Sequence, residues 1–452
     1  MSTIDVREGQ YGDKITAVEP GGIEFIPLEE RHGRPRDLFW TWMSPNLEFA
    51  TVFLGVLAVA VFQLSFWQAV LAIIVGTGLG AVSQGLLSAR GPSVGVPQMV
   101  LGRSAFGYWG NLLPSAFNTL AAGIGWFAVN SVSGALALNT LTGLPGWLCL
   151  VIVVAIMITL GYFGHNLVQA FEKYAFPVLA LIFLIASVIV LSKASPGYAG
   201  AGGGIGGFLL TVGACFGYTA GWNPYAADYT RYLPPGSSKT AVGLAAGAGV
   251  FVSAVVLEVV GAASVTIGGD AMGQPTTAFT SHLPSVVANL TLLAIALGAI
   301  SANALNVYSG SMSLLTMGVR LPLTLRRAMT ALVCGVVGFL VALSGLSDAG
   351  SKYEAFLLVI SYWIGPWLGV ILADWYLRRD PGPLYDRSYT NWAGPIAMVV
   401  GVVLSVWLFS NQQKYVGVVP SKVPGVGDIA FEVGFLISFG LYWALRRSPR
   451  LA

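Results

Sequence analysis

Twelve apolar segments follow one another along the 452 residues, near 38–61, 66–87, 106–139, 147–164, 171–192, 205–227, 242–268, 283–316, 329–345, 353–377, 390–410 and 429–446. A membrane-spanning helix needs about 20 apolar residues, and most of these segments reach that length. Inside a bilayer only helices and closed barrels satisfy every backbone group. Strand-length alternation with short turns is absent, which argues against a barrel. The predicted fold is therefore all-α and polytopic. Composition agrees, with 55% hydrophobic residues, 10% charged residues and 57 glycines, outside the range of soluble domains. The third and eighth segments are long enough to tilt strongly or to include interfacial turns.

Charge predicts the topology. With the N-terminus in the cytoplasm, the inner pieces hold 19 Lys and Arg, and the outer loops hold only Lys193, Lys352, Lys414 and Lys422. Together these account for all 23 basic residues, and the bias is the one that orients membrane proteins. Losing one segment would scramble it. Both termini are expected in the cytoplasm, with a polar tail at 1–37 and a short C-terminus at 447–452. Residues 1–37 show no short apolar run and cleavage site, so no cleavable signal peptide is expected. No soluble domain is expected. Cys149, Cys215 and Cys334 lie in apolar segments without metal-like spacing and read as packed thiols.

Two segments carry interruptions. The first reads Trp40-Thr-Trp-Met-Ser-Pro-Asn-Leu-Glu48, with Ser44, Asn46 and Glu48 beside Pro45. The sixth reads Phe216-Gly-Tyr-Thr-Ala-Gly-Trp-Asn-Pro-Tyr and ends in Asp228-Tyr229-Thr230-Arg231. Proline and glycine release backbone groups from the helix ladder, and at membrane depth those groups need a protein, water or ligand partner. Pro45 and Pro224 are 179 residues apart, and the two segments run in opposite senses. Paired interrupted helices in corresponding halves point to an inverted-repeat secondary transporter. The predicted layout is repeat 1 over 38–192, repeat 2 over 205–378 and two further helices over 388–446. Shifting Trp126 and Asn130 by the same interval lands on Leu305 and Ser309, in the polar stretch Ser301 to Ser309 that also holds Asn303 and Asn306. A purely structural reading takes these asparagines as interhelical hydrogen-bond glue, and Asn303 is assigned that role.

The candidate site residues suit a planar, neutral ring. Trp126 and Trp222 offer faces, Tyr218 a further aromatic, and Asn130 and Asn306 offer amide donors and acceptors. Stacking contributes on the order of 1–3 kcal/mol per base, and an unmatched ring edge leaves a buried amide unpaired. Ser44, Asn46 and Gly217 belong to the same candidate walls. No Lys or Arg lies well inside a segment to hold a phosphate, so free bases are favoured over nucleotides, while a helix N-terminus at a break could still hold an amino-acid carboxylate. Intramembrane acids are functional candidates by default. Glu48 and Glu172 could take a proton, as could Asp228, and Ser301 could join broken-helix carbonyls around sodium. Glu258, in the seventh segment, reads as a structural acid. His32, His165 and His282 are far apart, and no phosphate loop or nucleophile elbow is present, so no metal beyond a coupling ion and no cofactor are expected. The coupling ion is H+ or Na+. The expected partners are the small molecule and membrane lipid, with no nucleic acid and no obligatory protein.

The motif Phe216-Gly-Tyr…Gly-Trp-Asn-Pro-Tyr-Ala-Ala-Asp-Tyr-Thr-Arg-Tyr resembles the sixth-segment signature of the nucleobase–cation symporter 1 family, purine–cytosine permease branch. Gly22-Ile-Glu…Pro-Leu-Glu-Glu-Arg31, Phe39-Trp-Thr-Trp-Met-Ser-Pro-Asn46, Trp126…Asn130 and Asn306-Val-Tyr-Ser309 extend the resemblance over the transport core. It implies a leucine-transporter-like fold, with two inverted five-helix repeats plus two helices, and alternating access. It also implies a site between the first, third, sixth and eighth segments, with Trp126 stacking, Asn130 and Asn306 hydrogen-bonding, and Gly217, Tyr218 and Trp222 as the facing wall. Asp228 and Arg231 would sit at a cytoplasmic gate, and Glu172 at the family's fifth-segment acid. Leu305 stands where the family frequently has proline. That argues against local unwinding there and against carrying over a close substrate preference. The expected function is import of a nucleobase or related heterocycle on an ion gradient. A hydantoin, vitamin precursor or amino acid on the same fold, or a membrane-embedded enzyme or sensor, are the competing readings.

Overall fold

The structure is a computed structural model that describes residues 22–163, 165–319, 323–378, 380 and 382–447, with side chains outside the description at 160–175, 323–331 and 334. Glu172, His165 and Cys334 fall in that undescribed set. Each of the twelve expected segments is occupied by helix. In order these are Asp37–Met43 with Phe49–Ala60, Phe66–Ser88, Leu112–Thr142, Gly146–Phe163, His165–Lys193, Gly204–Thr230, Lys239–Val265, Ser285–Thr316, Leu323–Gly345, Ala349–Leu377, Ala393–Phe409 and Ala430–Arg447. Among the described residues, seven helices are long and apolar enough to cross a membrane, or eight with the bent first pair. The described residues form no strand, only the isolated bridges Gly107–Thr390 and Asn411–Val416.

The second helix shows why the chain needs lipid. Leu71, Val75, Leu79, Val82 and Leu86 are exposed along one face, at the three-to-four-residue spacing of a single helical stripe. The opposite face is closed by glycine. A Cβ at Gly76 would meet the Val212 carbonyl at 2.4 Å, and one at Gly80 the Thr219 hydroxyl at 2.1 Å. The second helix therefore contributes no side chain of its own where it crosses the sixth. The first and seventh helices do the same, since a Cβ at Gly55 would lie 1.7 Å from the Glu258 carbonyl and one at Gly261 1.8 Å from that of Val52. Small residues at such crossings are the usual means of bringing membrane helices together. Cys149 and Cys215 are buried free thiols.

The eighth segment was expected to tilt or to include a turn, and it is one continuous helix of 32 residues. Leu305 donates its backbone N–H where a proline would not, which accounts for the continuity. The third segment does contain an irregularity that composition did not disclose. A π-turn over Ala121–Trp126 separates its two α-helical halves.

Replacing Gly261 by valine should therefore destabilise the protein by about 1–3 kcal/mol or more. Thermal unfolding of purified protein checks this, with Gly440→Ala, a glycine with no heavy atom within 4 Å of an added Cβ, as the silent control.

Candidate substrate site

The first helix breaks where its sequence says it should. After Met43 the chain tightens into a 3-10 turn over Ser44–Asn46, Glu48 is fully extended (φ −146°, ψ 172°), and the helix restarts at Phe49 with a bend of 61°. Side chains satisfy part of the freed backbone. Asn46 Nδ2 donates to the Trp42 carbonyl at 2.7 Å, and Thr51 Oγ1 donates to the Asn46 carbonyl at 2.6 Å.

The sixth helix differs from expectation. It tightens through a 3-10 turn at Asn223–Tyr225 without an extended residue and runs on as Gly204–Thr230. The Gly221 N–H still reaches the carbonyls of Gly217 and Tyr218, and Pro224 sits early in the 3-10 turn, where a missing N–H costs little. The two interrupted segments are thus unequal: the first is broken, the sixth only wound tighter.

The segments meet through aromatic and amide groups. Trp222 Nε1 donates to Asn46 Oδ1 at 2.9 Å, and Trp222 lies edge-on to Trp42 with centroids 6.0 Å apart. Trp126 makes edge contacts with Tyr218 at 5.6 Å and Phe356 at 4.9 Å. An added Cβ at Gly221 would come within 2.9 Å of the Trp126 ring, so glycine is what lets that indole approach. The π-turn ends at Trp126 and advances it relative to a regular helix; such turns recur at functional sites.

Not every expected wall residue lines this centre. Gly217 faces the tenth helix, where a Cβ would meet the Leu357 carbonyl at 2.2 Å, so it is a packing glycine. The asparagines form a chain. Asn130 Nδ2 donates to Asn303 Oδ1 at 3.0 Å, and Asn306 Nδ2 to the same atom at 3.3 Å. Asn303 Nδ2 donates to the Phe127 carbonyl at 2.9 Å, which is the helix-to-helix role expected of it. Tyr225 OH donates to Asn306 Oδ1 at 3.2 Å. Buried and without a partner are Ser44 Oγ, Asn130 Oδ1 and Glu48 Oε2. Gly298 packs against the Leu47 carbonyl at the break, and Ser301 is buried one turn further along the same helix.

Asp228 and Arg231 lie at the other end of the sixth segment, both buried. Asp228 Oδ1 accepts the Gln98 N–H at 2.8 Å. Arg231 donates to the Gly22 carbonyl at 2.8 Å and to the hydroxyls of Tyr232 and Tyr308, each at 3.1 Å. It joins the sixth segment to the eighth and to the N-terminal tail. The tail is also held by Arg31, which donates to the carbonyls of Ile26 and Pro92; burial lowers the Arg31 pKa from its ordinary value.

Tyr225, Thr51 and Phe356 were not anticipated. Tyr225 could have been read from its position three residues after Trp222, whereas nothing in the sequence marks Phe356. Phe356 also walls an apolar cavity of about 130 Å³ with Phe49, Phe53, Ala128, Val132 and Tyr353.

Buried amides, paired tryptophans and a broken first helix in an all-helical membrane fold define a multi-pass transporter of leucine-transporter-like architecture. The solved structure of Mhp1, a nucleobase-cation-symport-1 family transporter in a closed conformation with bromovinylhydantoin bound, superposes with a TM-score of 0.74 at 20% identity, over 95% of this chain and 96% of that one. Residues 25–434 match the family of permeases for cytosine/purines, uracil, thiamine and allantoin, and the chain belongs to that family. The putative purine-cytosine permease YxlA of Bacillus subtilis is 31% identical over 96% of this chain and 97% of its own length. The purine-cytosine permease fcyB of Emericella nidulans is 26% identical over 96% and 92%.

The Asn46–Trp222 bond carries a definite expectation. Asn46→Ala strands a buried indole N–H and should cost about 1–3 kcal/mol, whereas adding Trp222→Phe should recover part of that loss. Thermal unfolding of the two single variants and the double variant measures the coupling.

Proposed function

We propose that the protein is a secondary active importer of a free nucleobase, cytosine or a purine, or a closely related planar heterocycle. The observation that supports this best is a linked set of aromatic and amide groups, Trp126 against Tyr218, Trp222 bonded to Asn46 and packed on Tyr225, Tyr225 bonded to Asn306, and Asn130 and Asn306 both bonded to Asn303, with no cationic side chain bonded to any of those amides among the described residues. Flat faces bind a ring by stacking, and amide edges select its pattern of N–H and C=O groups. Such a site has no means of compensating a phosphate charge.

In this reading repeat 1 covers 38–192, repeat 2 covers 205–378, and the helices within 388–446 flank them. Trp126 and Trp222 are the stacking residues, Asn130 and Asn306 read the ring edge, and Ser44 and Asn46 shape the floor. Arg231, with Asp228, closes the cytoplasmic end in the conformation described, through Tyr308 and the tail. Accumulation draws on a cation gradient, for which Glu48, Glu172 and Ser301 are the candidate residues. Both termini face the cytoplasm of a cell whose plasma or inner membrane holds the protein. A hydantoin is the second reading, favoured by the ligand in the Mhp1 structure.

In proteoliposomes, labelled cytosine or hypoxanthine should accumulate chemically unchanged, and ionophores should collapse the accumulation. Asn306→Ala should lower uptake by at least about tenfold, because the loss of an edge hydrogen bond penalises the ring directly, while leaving the amount of folded protein unchanged. Normal uptake by that variant would remove Asn306 from the site.

A further inference from the structure

Glu48 occupies the break itself and lies between the two aromatic walls. Two residues before it, Asn46 holds Trp222; beyond it, Tyr218 OH donates to Glu48 Oε1 at 3.4 Å while the Tyr218 ring meets Trp126. The residue is 1% exposed. Its Oε1 contact is long for a hydrogen bond, and Oε2 has no partner. The same tyrosine hydroxyl is shared with Thr51 Oγ1.

The surroundings supply no counter-charge. From the sixth helix Tyr218 faces Glu48; from the tenth, Tyr353, whose hydroxyl is bound to the Ala50 carbonyl; from the eighth, the backbone at Gly298. The other acid in this region is Glu258 on the seventh helix. It accepts from Thr77 at 2.6 Å and lies where Gly55, two turns past Glu48, crosses the seventh helix. No Lys, Arg or His among the described residues bonds to either carboxyl. An unpaired charge buried at such a place costs several kcal/mol.

A neutral carboxyl places an O–H donor beside a C=O acceptor. The edge of cytosine or adenine places a ring nitrogen acceptor beside an amino donor, and a lactam edge places an N–H beside a carbonyl. Either edge closes two antiparallel hydrogen bonds with the acid. A carboxylate closes one with these edges and sets its other oxygen against a ring acceptor.

We propose that Glu48 contacts the substrate as a protonated acid, so that ring and coupled proton occupy one site and cross together. The inference rests on the heterocycle reading above and adds the group that joins the ring to its driving ion. The proton is taken up by Glu48 from the outer solution and held while the ring is bound. It leaves to the cytoplasm when the ring departs, restoring a carboxylate that the Tyr218 hydroxyl faces. Glutamine has the same donor-and-acceptor edge without the titration, which separates the two functions of the residue.

The test measures binding of cytosine and adenine to purified full-length protein across mildly acidic to alkaline buffers, in the presence and absence of sodium, and pairs it with counterflow and gradient-driven uptake in proteoliposomes. The wild type should lose affinity by about tenfold per pH unit on the alkaline side, the limit for one coupled proton. Glu48→Gln should bind within a few-fold of the wild type at acidic pH, show no pH dependence, retain counterflow and lose uphill accumulation. Glu48→Leu should lose binding, and Glu258→Gln should keep the wild-type slope. A pH slope that persists in Glu48→Gln, or that disappears in Glu258→Gln instead, overturns the proposal. Failure of the wild-type protein to bind either base would refute the heterocycle reading itself.

Discussion

A single carboxamide closes the gap on which the site depends. Asn46 donates to the carbonyl of Trp42 on one side of the break and accepts from the indole of Trp222 on the other, while its own carbonyl takes the Thr51 hydroxyl. In lipid each released backbone group must find such a partner. The broken helix is stable because these bonds are made, and they also tie the first segment to the sixth. The interruption therefore serves two ends: it opens backbone and side-chain polarity within the bundle, and it holds the Trp222 indole of the sixth segment.

The rest of the bundle isolates that opening by being packed closely elsewhere. Glycine brings the first helix against the seventh backbone to backbone, and the second against the Val212 backbone and the Thr219 side chain of the sixth. Close-packed interfaces of this kind move as units rather than deforming continuously. Arg231 makes a different kind of contact. Its hydrogen bonds to the Tyr308 hydroxyl and to the tail carbonyl at Gly22 join separate elements through a buried polar side chain. The same molecule thus combines close-packed helix pairs with a polar junction between the sixth segment, the eighth and the tail.

Much of this was legible in the chain, for identifiable physical reasons. Segment length expresses the bilayer directly, and each expected segment is occupied by helix. Pro45 among Ser44, Asn46 and Glu48 predicted a break, and the break is there. Pro224 predicted a second, yet the helix absorbs it in a 3-10 turn, because a proline early in such a turn gives up an N–H of little consequence. Leu305 in place of proline correctly signalled a continuous eighth helix. Gly217 was read as a wall residue from its neighbours in sequence, but its direction around the helix points it at Leu357. The π-turn before Trp126 and the edge contact from Phe356 depend on the packing of distant segments, and no local pattern encodes them.

The central claim is that these walls bind a planar, uncharged heterocycle. The most direct measurement is a thermal-shift screen of the purified protein against nucleobases, hydantoins, vitamin precursors and amino acids, each with and without sodium. Selective stabilisation by cytosine or a purine is the result expected. Stabilisation by an amino acid, with every ring compound silent, would contradict the account.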